Sequence, residues 1–416
     1  MRRSALVAAL AMVLSAIPLT SVAAKPEPIR FATFNASLNR FNAGDLVSDL
    51  SSPDNAQAQV IAEIIQRARP DVILINEFDY DEAEQAADLF RENYLEVSQN
   101  GADSIAYPYV FTAPSNTGVP SPFDLNNDGA VGGPDDAYGF GFFPGQFGMV
   151  VYSMYPIVGA RTFQNFLWKD MPGALLPVDP VSGAWYSDEE LEVFRLSSKS
   201  HWDVEIQVGR QQIHFLASHP TPPVFDGPED RNGTRNHDEI RFWADYVIPS
   251  RSDYIYDDEG VVGGIEPGEP FVIAGDQNSD PLDGDSIPGA IQQLLEHPGI
   301  NSKATPASSG GVWAADQGGA NDSHLSDPAE DTADFADGAP GNLRADYVLP
   351  SKRLRILDSA VFWPAEGEPF FELTGVFPFP SSDHRLVWVD VMIPGRPQSQ
   401  MSRADLDVGR HGDSVE

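Results

Sequence analysis

Short apolar runs alternate along this chain with amphipathic stretches, and most of the apolar runs end in a polar cluster. Residues 29–34 and 72–75 are apolar and β-rich; the second run is continuous, as expected of a strand buried on both faces. Between them, Val60, Ile61, Ile64 and Ile65 recur at helical spacing within 56–68, and Pro70 stops the pattern. Helices are also predicted at 82–94, 236–247 and 287–296. Further strands are predicted at 148–153, 202–208, 211–217, 271–275, 345–349, 355–362 and 385–393. Strands of alternating polarity beside fully apolar ones imply an α/β fold of two packed sheets with helices outside.

Three stretches break this rhythm. Residues 112–147 are rich in Gly, Pro, Asn and Asp, residues 252–269 are acidic and Gly-rich, and residues 304–342 are poor in apolar side chains. Loops of that length in a compact domain are functional or disordered. The tail 396–416 has little apolar content and is expected to be disordered. No repeat or linker divides the remainder, so 25–395 reads as one domain. At the start, Arg2 and Arg3, the apolar stretch Ala5 to Ile17 and Val22-Ala23-Ala24 form the pattern of a signal peptide, 1–24. Pro18 and the shortness of the stretch argue against a membrane span, and no later run is long enough for one. The expectation is a protein secreted or held in a periplasm, and a monomer.

Charge narrows the function. The 416 residues hold 26 Lys and Arg against 62 Asp and Glu. Without Arg2 and Arg3 the balance is 24 against 62, a net charge of −38, and the chain has only five lysines. Such a surface repels nucleic-acid phosphates and offers no basic footprint, though it suits a saline exterior. With no cysteine, disulfides, thiolate nucleophiles and zinc–thiolate sites are excluded. What remains is hard oxygen-ligand chemistry, which suits Mg²⁺, Mn²⁺ or Ca²⁺ acting on phosphate esters.

The polar clusters at the run ends are Phe34-Asn35-Ala36, Asn76-Glu77, Ser218-His219-Pro220, Gly275-Asp276-Gln277-Asn278, Asp346-Tyr347 and Ser382-Asp383-His384-Arg385. Each puts carboxylate, carboxamide or imidazole where a buried strand meets solvent, the place where a sheet-built enzyme gathers a metal and its acid–base groups. Separately, Asp124, Asn126, Asp128, the Ala130 carbonyl and Asp135 fall at positions 1, 3, 5, 7 and 12 of an EF-hand loop, with Gly129 at the turn. A structural Ca²⁺ ordering the 112–147 insertion is the expectation. Arg231 and Arg235, which open the helix after the His219 strand, either fork onto a substrate phosphate or pair with nearby carboxylates.

The ordered series Asn35, Glu77, His219, Asp276 with Asn278, Asp346 and Asp383-His384 resembles the endonuclease/exonuclease/phosphatase superfamily. Gly148-Met149-Val150-Val151-Tyr152-Ser153-Met154-Tyr155-Pro156-Ile157 also resembles that family's Gly…Ser-Arg-x-Pro-Ile strand, with Met154 in place of Arg. The resemblance spans about 28–394 and implies a four-layer αββα sandwich with its site at one end of the two sheets. It implies Glu77 as principal metal ligand and Asp383 as a second, with Mg²⁺ or Mn²⁺ bound. Asn35 would touch the scissile phosphate or hold the ligand carboxylate. Asp276, supported by Asn278, would act as base or orienter of the attacking water. His384, oriented by Asp346, would contact the phosphate and assist proton transfer, and His219 would stabilise the departing oxygen. The implied activity is a divalent-metal-dependent hydrolysis of a small organic phosphate or phosphodiester. The alternatives are a secreted deoxyribonuclease-like endonuclease, which the charge disfavours, and a non-catalytic binding module on the same fold.

Overall fold

The computed structural model describes residues 28–393; the leader 1–24 and the tail 396–416 lie outside the described residues. Its architecture follows from the two-residue period of the strands, because consecutive side chains of one strand enter different apolar layers. In β1 (Ile29–Leu38), Ile29 and Phe31 face one layer while Ala32, Phe34 and Leu38 face another. In β2 (Val72–Phe78) the split is Val72 and Leu74 against Ile73 and Ile75. That is why the second run reads as continuously apolar: both its faces are buried.

Strands β3 (Tyr109–Phe111), β4 (Met149–Ser153), β10 (Arg355–Val361) and β11 (Val387–Met392) complete a six-stranded sheet in the order β10-β11-β1-β2-β4-β3. The second sheet has the order β9-β8-β7-β6-β5. It is built from β5 (Ile157–Thr162), β6 (His201–Val208), β7 (Gln211–Ser218), β8 (Phe271–Asp276) and β9 (Asp346–Pro350). Both sheets are mixed: β1 and β2 run parallel, as do β7 and β8, and the other neighbours are antiparallel.

Three apolar interfaces separate four layers. Phe31, Leu74 and Val151 of the first sheet meet Trp202, Phe215 and Val272 of the second between the sheets. On the outer face of the first sheet, Phe34, Ile73 and Tyr152 pack against α1 (Asp45–Leu50), α2 (Ala56–Ala68) and α3 (Gln85–Phe90). Leu216, Ile273 and Tyr347 on the outer face of the second sheet pack against Ile240, Trp243 and Tyr246 of α4 (Arg231–Tyr246). This is the expected αββα sandwich of two mixed sheets flanked by helices.

Local chemistry explains where elements begin and end. Asn55 caps α2 by accepting a hydrogen bond from the Ala58 N–H at 3.0 Å, and Arg69 closes it in the left-handed region. The predicted 287–296 helix shrinks to Gln292–Leu295, because Pro288 and the left-handed Gly289 occupy what would be its first turn. The 82–94 helix is shortened to α3 followed by a π-helical turn, Arg91–Leu95. The 304–342 stretch, expected to be a surface insertion, is ordered: it holds a helix, Ser309–Ala315, and a strand pair, Ala333–Asp334 with Asn342–Leu343. It reaches the sheet end through Ala333, which bridges to His384.

Candidate active site

The parallel pairs β1/β2 and β7/β8 bring four strand C-termini to one end of the sandwich. Register places Asn35 beside Asn76, and Asp276 beside Asp346, which starts the antiparallel β9 at that same end. The backbone leaves regular geometry there: Ser37, Glu77 and Asn278 all have positive φ, at 47°, 57° and 51°. For non-glycine residues this is uncommon and costs of order 1–3 kcal/mol each. At Glu77 the turn breaks the alternation and redirects the carboxylate from the sheet to the cavity beyond it. Gly275 is needed for a different reason. A Cβ there would lie 2.0 Å from the Ser218 carbonyl oxygen, so only glycine lets β8 approach β7 closely enough to set Asp276 beside His219.

Asp276 is the hub. Its Oδ2 accepts a 3.1 Å hydrogen bond from Asn35 Nδ2, and the same amide nitrogen donates to Glu77 Oε1 at 3.1 Å. His219 Nε2 lies 3.4 Å from Asp276 Oδ2, and His384 Nε2 lies 3.6 Å from it. The second is too long for a hydrogen bond. The Asn278 backbone N–H donates to Asp276 Oδ1 at 2.8 Å, while its side chain holds the Pro220 carbonyl at 3.1 Å. Asn278 therefore supports Asp276 and ties two strand-end loops together.

The imidazole of His384 is oriented from behind. Its Nδ1 lies 2.8 Å from Asp346 Oδ2, which also accepts from Thr332 Oγ1 at 2.8 Å. Thr332 Oγ1 in turn accepts the Ala345 and Asp346 N–H groups, both at 2.9 Å. With Nδ1 committed to the carboxylate, Nε2 is the nitrogen that faces the site. Arg385 buttresses this turn, donating to the Ser382 and His384 carbonyls and pairing with Asp334 at 3.3 Å.

Burial makes these groups differ sharply in charge. Burial would suppress the His384 charge, but Asp346, Asp276 and Asp383 together hold its pKa well above the ordinary histidine value. His219 goes the other way: burial, with Lys199 and His384 nearby, keeps it neutral. Neutral His219 donating from Nε2 toward Asp276 leaves Nδ1 an acceptor, and that buried atom has no partner. Burial pushes the Asp276 carboxyl up to about 7, His384 opposing and Asp346 adding to the rise. Burial, opposed by His384 and Asn35 and reinforced by the Asp383 charge, also raises Glu77.

Glu77 and Asp383 are close enough for their charges to repel, and a pair of carboxylates has the oxygen-donor chemistry that suits a divalent ion. Asp276, Asp346 and His384 also converge closely enough to surround an ion. The 2.8 Å Nδ1–Asp346 contact instead marks that trio as an oriented imidazole, since a cation there would have to displace the shared proton.

The arginines and Asp135 are placed differently from expectation. The Arg235 guanidinium is buried and spent on the Leu196, Tyr138 and Arg195 carbonyls, and Arg231 pairs with Glu229, so neither is a free phosphate fork. In the 124–136 loop, Asp135 is exposed and turned to the cavity; buried Asp136 closes the loop, accepting the Leu125 and Gly132 N–H groups at 2.7 Å each. Asp124, Asn126 and Asp128 accept backbone N–H groups of their own turn.

The family model for the "Endonuclease/Exonuclease/phosphatase family" matches residues 32–384. The chain belongs to that family. Comparison with curated protein sequences finds no match. Among solved structures, the chain is similar to an endonuclease/exonuclease/phosphatase from Beutenbergia cavernae. That likeness is at 17% identity and TM-score 0.48, over 89% of this chain and 72% of that one. It is similar also to sphingomyelinase C from Streptomyces griseocarneus, at 15% identity, TM-score 0.44, 88% of this chain and 99% of that one. A third likeness is to truncated TDP2 from Caenorhabditis elegans, at 12% identity, TM-score 0.42, 88% and 98%. Members of the endonuclease/exonuclease/phosphatase family are generally phosphoester hydrolases. In this member the motif residues Asn35, Glu77, His219, Asp276, Asp346 and His384 meet at one sheet end. The sequence marked Asn76 but gave it no role, and it accepts the Asp276 N–H at 3.3 Å; Thr332 and Lys199 were missed. Thr332 sits in a stretch that carries no motif, and nothing in the sequence marks it.

Proposed function

We propose that this protein is an exported, divalent-metal-dependent phosphoester hydrolase acting on a small organic phosphate or phosphodiester by in-line attack of water. The observation carrying this reading is the Asn35–Asp276–His384–Asp346 series beside the mutually repelling carboxylates Glu77 and Asp383. A divalent cation, Mg²⁺ or Mn²⁺, held by Glu77 and Asp383 would supply charge neutralisation at a phosphoryl oxygen. The residues do the rest. Asn35 holds the Glu77 and Asp276 carboxylates in register. Asp276, with its pKa raised to about 7 by burial, is matched to accepting a proton from water near neutral pH. His384, held as imidazolium, stabilises charge on the phosphoryl group, and neutral His219 lines the cavity where the ester oxygen departs.

Export is supported by the 1–24 pattern. No helix among the described residues is long and apolar enough to cross a membrane. A nuclease reading gains no support from a chain of this charge, in which both candidate arginines are engaged elsewhere. A panel of DNA, sphingomyelin, inositol phosphates and simple phosphate esters, each with Mg²⁺, Mn²⁺ or Ca²⁺, tests the proposal. Cleavage of plasmid DNA in preference to every small ester would overturn it.

A further inference from the structure

Beside this series lies a cavity of about 500 Å³, the size of a pocket for an organic ligand. Glu77, Lys199 and His219 line it, which makes it continuous with the site. Its remaining walls are dominated by rings: Phe140, Phe147, Tyr186, Phe194 and Phe225. Phe140 and Phe225 are 50% and 86% exposed, and Phe225 is held in the left-handed region at φ 68°. Large apolar side chains are left at a cavity mouth when a ligand is what covers them.

The polar groups on these walls are mostly committed to the protein. Asn232 donates to the Val224 carbonyl at 2.6 Å and Ser198 to the His219 carbonyl at 3.4 Å, and Arg231 and Arg235 are engaged as described. The exceptions are the Thr221 hydroxyl, His219 Nδ1, the exposed Asp135 carboxylate at the rim and the Lys199 ammonium. Lys199, 6% exposed, has no hydrogen bond or ion-pair contact from its side chain among the described residues. Burial lowers its pKa, and Glu239, Glu77 and Asp276 oppose that fall only across space. Its main chain is pinned, the carbonyl accepting from Asn116 N at 2.8 Å and the preceding Ser198 N–H donating to Glu239 at 2.6 Å. An ammonium that is buried, positioned and without a partner implies an anion from outside the chain.

We infer that the cavity takes the apolar arm of a phosphoester, an alkyl or aryl group, while the Lys199 ammonium binds a non-bridging phosphoryl oxygen. This rests on the hydrolase reading above. The walls offer many ring faces and few free donors or acceptors, so they suit hydrocarbon and do not read a nucleobase.

The test uses the full exported chain with Mg²⁺ or Mn²⁺ and a set of methyl phosphodiesters. The second ester is ethyl, hexyl, phenylpropyl or 5′-thymidyl, all primary alkoxides, and turnover is followed by phosphorus NMR. The hexyl and phenylpropyl esters are expected to exceed the ethyl ester in kcat/KM by about tenfold or more, with the thymidyl ester no better than ethyl. Phe140→Ser with Phe225→Ser is expected to shrink that ratio several-fold. Lys199→Met is expected to lower kcat/KM for every ester by about 10²-fold, while melting at or above the wild-type temperature because an unpaired buried charge is gone. Equal rates across the arms, or a preferred thymidyl arm, would overturn the inference and leave the hydrolase reading standing. So would a Lys199→Met protein that melts lower than wild type, marking the lysine as structural, or one with undiminished turnover. No turnover of any diester with either ion would overturn this inference alone if simple phosphate monoesters are still cleaved, and the hydrolase reading with it if they are not.

Discussion

Replacing Asp346 by Asn removes one negative charge and little volume, and the consequences can be worked from its contacts. Asp346 Oδ2 accepts from both His384 Nδ1 and Thr332 Oγ1 at 2.8 Å, and its Oδ1 is buried without a partner. An amide can turn only one oxygen to those two donors. If the nitrogen faces His384, two donors collide and the imidazole must adopt the other tautomer. If the oxygen does, the charge that sustains the imidazolium is still lost. Breaking a buried charge pair by removing one partner costs about 3–5 kcal/mol. If that loss is felt in the transition state, the rate falls by about 10²–10⁴-fold, at about 1.4 kcal/mol per tenfold. His384 would also titrate lower, since burial then acts with less opposition, so the limb of the pH–rate profile that reports its deprotonation shifts to lower pH. The assay is kcat and kcat/KM for Asp346→Asn, His384→Ala and the double variant across pH. Residues acting as a unit give a double variant barely worse than the worse single one. A double loss equal to the product of the single losses, or an Asp346→Asn enzyme within about threefold of wild type, would refute the pairing.

Further expectations follow from other parts of the structure. His214 sits between Asp203 at 2.8 Å and Glu269 at 3.0 Å; burial opposes its charge, but these partners raise its pKa. Its contribution to stability is therefore complete below the unfolded histidine value of about 6.5, and is lost as pH rises through the raised folded value. Melting curves of wild type and His214→Gln should converge toward alkaline pH; a gap that widens there would contradict this. Asp136→Ala leaves the Leu125 and Gly132 N–H groups without an acceptor and should cost about 1–3 kcal/mol, with protease cutting near 124–136. Asp135→Ala should stay within about 0.5 kcal/mol, and the reverse ranking would restore the original loop assignment. If the loop binds Ca²⁺, a calcium-induced rise in melting temperature will be seen in wild type and lost in Asp124→Ala with Asp128→Ala. A rise that survives in that variant places the ion elsewhere.

Elements whose causes are local could be read from the chain. Helix α2 carries its own cap at Asn55 and its own stop near Pro70, so its bounds appear in the sequence. Strands β2 and β8 are buried on both faces and announce themselves as unbroken apolar runs. Strand β5 was not predicted, because it is an edge strand with alternately exposed residues and an internal Gly159, and its partner β6 decides its conformation. The motif residues were legible because each terminates such a run. Thr332 and Lys199 were not: one is placed by a loop crossing to β9, the other by a segment docked on α4 through Glu239. Arg235 shows the opposite failure. A conspicuous cation in an acidic chain looked like a ligand group, and only the folded chain reveals three carbonyls around it.

The account stands most directly on Glu77. It follows the buried run Val72–Ile75, is turned by its positive φ into the cavity, and shares Asn35 with Asp276. Calorimetric titration of Mg²⁺ or Mn²⁺ into wild type and Glu77→Ala, with phosphoester turnover at saturating substrate measured on the same preparations, joins geometry to chemistry in one experiment. The expected result is one active-site binding event and metal-dependent turnover in wild type, both absent from a Glu77→Ala protein that melts no lower. Wild-type turnover or undiminished ion binding by Glu77→Ala would contradict the central claim.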